Sequence, residues 1–250
     1  MNQGAIVEYV NGYLGIEDFP DFDDAENGLQ VSGTDQVDRL YAAVDASEEV
    51  IGRVEQRGAG LLLVHHGLFW GERRSLTGPL FRKVERLIKG GIGLYAAHLP
   101  LDAHPEVGNS AVLARECGLT PAGRFGKALG VEIGWWCETD CERSRLVETV
   151  EKVVGGECRL LGGGPNKTRK VGFVTGSAGN MIRQAAEGGL DTLITGEGSH
   201  PNYNEAIEFG INVIYAGHYA TETWGVKALG QHLETRFGLS MEFIDAPTGF

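Results

Sequence analysis

The chain has 250 residues, 42% of them hydrophobic, enough to bury a full core as one large or two small domains, so disorder is not the expected state. Acidic residues number 34 against 22 basic ones, for a net charge of -12 and an isoelectric point near 5.0, so direct binding to DNA or RNA is not expected. No run approaches the roughly 18 apolar residues of a membrane span, and MNQGAIVEYVNGYLGIEDFP lacks a basic segment followed by an apolar one, so the expectation is a cytoplasmic protein with no membrane partner.

The first strong pattern is YAAVDASEEVIGRVEQRGAGLLLVHHG (41–67), which reads as strand, turn, amphipathic helix and a second buried strand running into His65 and His66. GIGLYAAHLPLDA (91–103) is a short apolar strand opening into H-x-x-x-D, with His98 and Asp102 beyond its end, and VGNSAVLARECGL continues as a helix. Between Gly123 and Lys170 the pattern suggests a strand, a helix and a glycine-rich turn, with LGGGP (161–165) as an ordinary turn. VGFVTGSAGNMIRQAAEGGLDTLITGEG (171–198) then repeats the order of the first segment. GINVIYAGHYATET (210–223) repeats the second, ending in H-x-x-x-E, and WGVKALGQHLETRFGL is helical.

The two halves can be laid over each other with few gaps. His65 and His66 then fall opposite Gly196 and Glu197, and His98 and Asp102 opposite His218 and Glu222. Strands alternating with helices predict an α/β fold with a mostly parallel sheet. The predicted architecture is two internally duplicated three-layer units, residues 1–125 and 169–250, packed about a pseudo-twofold with the site between them and a bridging segment at 126–168.

Open parallel sheets carry functional groups beyond the carboxyl ends of their strands, where all these histidines and acids are predicted to lie. His65, His66, Asp102, His218 and Glu222 are the expected ligands of two divalent metal ions per chain, for which imidazole and carboxylate suit zinc, iron, manganese or nickel. Adjacent His65 and His66 would point to opposite faces of a continuing strand, so both reach one cluster only if the backbone turns at the strand end. His98 reads as a ligand, a donor to a ligand or a general acid. Glu197 is a candidate base for a water and His200 a candidate substrate contact, against a reading in which Ser199 or Asn202 caps a helix and His200 is solvated.

The remaining features carry less chemistry. VTGSAGNMI (174–182) either holds an anion on its amides or, as its acidic counterpart VDASEEV favours, makes a tight strand-to-helix connection. Cys117, Cys137, Cys141 and Cys158 read as reduced thiols, with Cys137 and Cys141 spaced for one face of a helix. His104 and His232 read as surface residues.

The segments ENGLQVSG, AAVDAS, LLLVHHGLFWG, YAAHLPLDAHPEVGNS, ITGEGSHPNYNEA and VIYAGHYATETWGVKAL resemble the Nif-three-like, YbgI-type dinuclear metal proteins, often labelled GTP cyclohydrolase type 2-like. The resemblance spans about Asn27 to His232. It implies a duplicated α/β fold, the same five ligands with Asp102 or Glu222 as the bridge, and a homo-oligomer in the form of a hexameric ring whose sites face an internal cavity. Asn27, Gly28 and Gln30 would shape the site wall or form a plain turn. The function this supports is a dinuclear metal-dependent hydrolase acting on a small molecule, GTP, another nucleotide or a phosphoester. A metal-bound hydroxide would attack a purine C8 or another electrophilic carbon or phosphorus, with Glu197, His98 or His200 handling protons. The alternative is a non-catalytic metal-binding or regulatory scaffold.

Overall fold

The computed structural model describes residues 1–22, 25–69 and 75–250, so Trp70 and Gly71 of LLLVHHGLFWG lie outside the described residues. In chain order the elements are α1 (Gln3–Leu14), β1 (Gly28–Val31), β2 (Arg39–Asp45), α2 (Glu48–Glu55), β3 (Gly60–His66), α3 (Gly78–Gly90), β4 (Ile92–Ala96), α4 (Leu99–Asp102) and α5 (Asn109–Glu116). There follow β5 (Pro121–Ala128), β6 (Val131–Glu142), α6 (Arg143–Val154), β7 (Arg159–Gly162), β8 (Lys167–Phe173), α7 (Ile182–Glu187), β9 (Thr192–Thr195), α8 (Asn202–Glu208), β10 (Asn212–Tyr215), α9 (His218–Phe237) and β11 (Ser240–Phe243). Among the described residues no helix is long and apolar enough to cross a membrane.

The chain forms two compact units, one of Met1–Leu101 with Gly225–Ala246, the other of Asp102–Trp224 with Pro247–Phe250. The first holds a five-stranded sheet in the order β1-β4-β3-β2-β11. Its strands β2, β3 and β4 run parallel, β11 adds a parallel edge and β1 an antiparallel one. LYAAV of β2 and LLLV of β3 are apolar at every position because both faces of the sheet are covered. Local chemistry sets the connections. Ser47 caps α2 by accepting from the Val50 amide at 3.1 Å, and Gly91, at φ 63°, ends α3 in the left-handed conformation that turns the chain into β4. Val50, Ile51 and Val54 of α2 and Leu87 of α3 pack on Tyr41, Leu62 and Leu94.

The second unit holds a six-stranded sheet in the order β5-β6-β8-β9-β10-β7, in which β8, β9 and β10 are parallel and β7 lies antiparallel beyond β10. The triplet β8-β9-β10 with β7 therefore repeats β2-β3-β4 with β1, and the duplication read from sequence is a duplication of topology. Phe173, Ile194 and Ile214 pack against Leu113 of α5 and Leu146 and Val150 of α6.

Residues 123–170 hold the expected strand, helix and turn, most of β5, all of β7 and the start of β8. β5 and β6 form a hairpin whose two loop residues, Leu129 and Gly130, both have positive φ (50° and 87°), as a primed two-residue turn requires. The hairpin is hidden in sequence because the turn is Leu-Gly rather than Asn-Gly. Cys137 and Cys141 lie on β6 and not on a helix.

Candidate functional site

At the carboxyl ends of β3 and β4 in the first unit three imidazoles gather. His65 is fully buried and His66 is partly exposed, and the backbone at the strand end brings their ring centroids to 4.7 Å. His98, just after β4, has its ring 5.0 Å from that of His65 and 5.8 Å from that of His66. One nitrogen from each ring lies within 4.8 Å of the other two. Each ring is anchored through Nδ1. His65 Nδ1 is 2.9 Å from the Ala97 carbonyl, His66 Nδ1 is 2.8 Å from Asp45 Oδ1 and His98 Nδ1 is 2.9 Å from Asp21 Oδ1. A neutral ring that donates from Nδ1 to such an acceptor presents the Nε2 lone pair, the tautomer a metal takes.

The carboxylates behind these rings are themselves placed by the fold. Asp45 is the register partner of His66 across β2 and β3. Asp21 accepts from the Asn27 side chain at 2.8 Å and from the amides of Phe22 and Leu99 at 2.8 and 2.9 Å. Burial alone would push its carboxyl up, but the hydrogen bond and charge of His98, with Asn27 and the Phe22 amide, outweigh it and hold it below the ordinary carboxylate range. Asn27 also accepts from the His98 amide at 2.7 Å, and Gln30 accepts from the Leu68 amide at 2.7 Å, so both brace the loops beside the imidazoles.

In the second unit His218 opens α9 directly after β10, with Glu222 one helical turn on. His218 Nε2 is 3.1 Å from Glu222 Oε2, and His218 Nδ1 is 2.9 Å from Glu197 Oε1. The Glu222 hydrogen bond and charge, with the same from Glu197, outweigh burial and raise the His218 pKa to about 9. The turn after β8 comes close: a Cβ on Gly176, at φ 66°, would collide with Glu222 Oε1 and lie 3.6 Å from His218 Nε2. Asp102 is 6% exposed, and its Oδ1 accepts from Asn109 at 2.8 Å and Thr175 at 3.1 Å, which fixes the plane of the carboxylate.

The amides of Gly176 and Ala178 donate to Thr221 and Thr195 at 3.1 and 3.2 Å, so VTGSAG is a tight connection rather than an anion cradle. Glu197 and His200 line a pocket of about 710 Å³, with His200 exposed at its rim. Ser199 and Asn202 are tied to each other, the Ser199 amide donating to Asn202 Oδ1 at 2.6 Å. The four cysteines are free thiols, and burial pushes Cys117 and Cys137 up to about 12, which keeps them inert. His232 is no plain surface residue: its Nε2 is 2.7 Å from Tyr9 Oη and its ring stacks on Tyr13 at 4.3 Å. Half-buried His104 accepts from the amides of Glu106 and Val107.

Sequence reasoning missed Asp21, Asp45, Asn109 and Thr175 as holders of the candidate ligands. Asp45 and Thr175 occupy matching positions of the repeat, VD closing β2 and VT just after β8, so the overlay itself carried a signal for that pair. Asp21 sits in irregular chain and carried none.

Imidazoles and carboxylates at the strand ends of a duplicated α/β protein define a class of candidate metal-binding proteins. The chain belongs to the family described as Duf34/NIF3 (NGG1p interacting factor 3), whose model matches residues 1–248. It is 43% identical over 246 residues to the GTP cyclohydrolase 1 type 2 homolog of Deinococcus radiodurans, covering 98% of this chain and 93% of that one. Among solved structures it is similar to TTHA1606 from Thermus thermophilus, with 43% identity, TM-score 0.91 and full coverage of both chains. It is also similar to protein ybgI, with 34% identity, TM-score 0.92 and 99% coverage of each.

Proposed function

We propose that this chain is a metal-dependent hydrolase that takes two divalent cations, with His65, His66, Asp102, His218 and Glu222 as ligands and His98 joining them. The observation that carries this reading is the anchoring of four separate rings, each with Nδ1 against a carbonyl or carboxylate, the arrangement that orients metal-ligating histidines. The clustering of His98 with His65 and His66 favours a ligand over a general acid. The donors are nitrogen and oxygen without thiolate, which suits zinc, iron, manganese or nickel. Such ions, when bound, polarise a substrate oxygen and lower the pKa of water.

The chain's own groups supply the rest. Asp21, Asp45 and Glu197 hold rings in place. Glu197 also lines the pocket, so it is the carboxylate placed to take a proton from a bound molecule, and His200 at the rim is the group that meets it. The name GTP cyclohydrolase 1 type 2 homolog borne by the relatives makes GTP the first compound to test, followed by other nucleotides and phosphoesters. Elemental analysis of protein purified without chelator should give about two ions per chain, falling in His98→Ala and Glu222→Ala. Turnover of a compound in the panel that falls with the metal supports hydrolysis. Metal-free wild type, or loaded protein inert to the whole panel, refutes it.

A second reading, a metal-binding scaffold without turnover, is favoured by one observation: three carboxylates beside the imidazoles are spent on orienting rings. Glu197→Gln, loaded at metal concentrations well above its weakened affinity, separates the two. If the metal is retained and turnover is lost, the hydrolase stands. Assembly into a hexameric homo-oligomer is a further part of the proposal, and light scattering that returns a monomer removes it.

A further inference from the structure

The 710 Å³ pocket of the second unit is within the size range of small-molecule sites, and it sets donors on one side and the Glu197 carboxylate on its wall. Tyr215 of β10 and Arg159 of β7 are register partners on antiparallel strands, which turns both side chains to the same face. Burial pushes the Tyr215 phenol up, so it is protonated at neutral pH and is a donor. Its oxygen is buried and, among the described residues, makes no hydrogen bond. Gly198 admits it, since a Cβ there would collide with the Tyr215 hydroxyl. Arg159, exposed on the edge strand, forms no ion pair with a carboxylate among the described residues. The ring of Tyr203, 53% exposed, forms an open aromatic wall. Two donors and an aromatic face converge on one hollow, whose wall includes the Glu197 that holds His218.

We infer that this pocket binds a small organic oxyanion carried on a planar ring, the oxyanion on Arg159 and Tyr215 and the ring against Tyr203. The inference rests on the metal-dependent reading above and names the substrate class of that site. A guanidinium pairs with a phosphate or carboxylate in two parallel hydrogen bonds, and a phenol stacks on any flat ring. Phosphate esters and carboxylates share this chemistry, and the probes distinguish them.

The test titrates full-length protein, as purified, with phenyl phosphate, benzoate and inorganic phosphate by calorimetry and ligand-observed NMR, with metal content measured on each sample. The expected result is binding of phenyl phosphate or benzoate more tightly than inorganic phosphate, with whichever binds better naming the oxyanion. Arg159→Gln should weaken it roughly ten- to hundredfold, as loss of a charged hydrogen-bond partner does, and Tyr215→Phe severalfold. Metal content should be unchanged in both. Tyr215→Phe keeps the ring and its packing, so a folded variant is in hand whatever Arg159→Gln does. Binding undiminished in both variants, or no binding of any probe to wild type, overturns the inference. Binding that is lost in His65→Ala yet insensitive to Arg159→Gln places the anion on the metal and also overturns it. If wild type carries no metal but still binds phenyl phosphate through Arg159, the pocket stands and the metal-dependent reading falls.

Discussion

The two units put different donors at corresponding places on the same scaffold. Where β3 finishes on His65 and His66, β9 stops at Thr195 and is followed by Gly196 and Glu197. Where β4 leads to His98, β10 leads to His218 and then to Glu222. One cluster is nitrogen-rich with its carboxylates behind the rings; the other sets carboxylates on both nitrogens of a single ring. The repeat fixes where a side chain emerges, and divergence within it decides whether the group at that point ligates or orients. Asp45 and Thr175 show the division at one matched position, the first holding His66 and the second holding Asp102.

The largest expected effect tests whether both clusters bind metal at all. Dialysis against a strong chelator should lower stability by about 4 kcal/mol if the free ion stood near a thousand times its Kd, read as a fall in the thermal midpoint. An unchanged midpoint would remove metal from both units. Next is Gly176→Ala, which forces a Cβ into a positive-φ site against Glu222. It should cost about 1–2 kcal/mol from the backbone alone and cut metal content, while the matching position in the first unit is already Ala46. A variant with wild-type stability and metal would show that the close approach of this turn is incidental. Smaller again, Asp45→Asn and Glu197→Gln should each weaken metal binding about ten- to a hundredfold, measured by competition with a chelating dye. The comparison sharpens if the two act on different ions, and the role given to ring orientation fails if neither has an effect.

Much of this was legible in the sequence because it rests on period and repetition. LYAAV of β2 and LLLV of β3 announce themselves as continuous apolar runs, whereas β8 opens on the charged KTRK, and the histidines fall at strand ends because strand length is readable. The β5–β6 hairpin was only half legible, since β5 carries two glycines, an arginine and a lysine and its turn lacks the usual asparagine or aspartate. The holders of the rings were least legible. Asp21 reaches His98 from 77 positions away through irregular chain, and only the three-dimensional path shows that Asn27 ties the two together.

The smallest effect concerns protons. In metal-free protein His218 should titrate near 9 rather than near 6.5, because Glu222, and after it Glu197, stabilise its charged form. A pKa raised in the folded state contributes stability that is complete below the unfolded value of about 6.5 and is lost as pH rises through about 9. A metal needs the neutral ring, so loading the second unit at pH 7.5 must release a proton from His218, seen calorimetrically as a dependence on the buffer's ionisation heat. Glu222→Gln should bring the His218 resonance in a proton NMR titration back toward 6.5, and Glu197→Gln should move it less. If wild-type His218 titrates near 6.5, the carboxylates do not hold its charge, and the contrast between the units reduces to the identity of their donors.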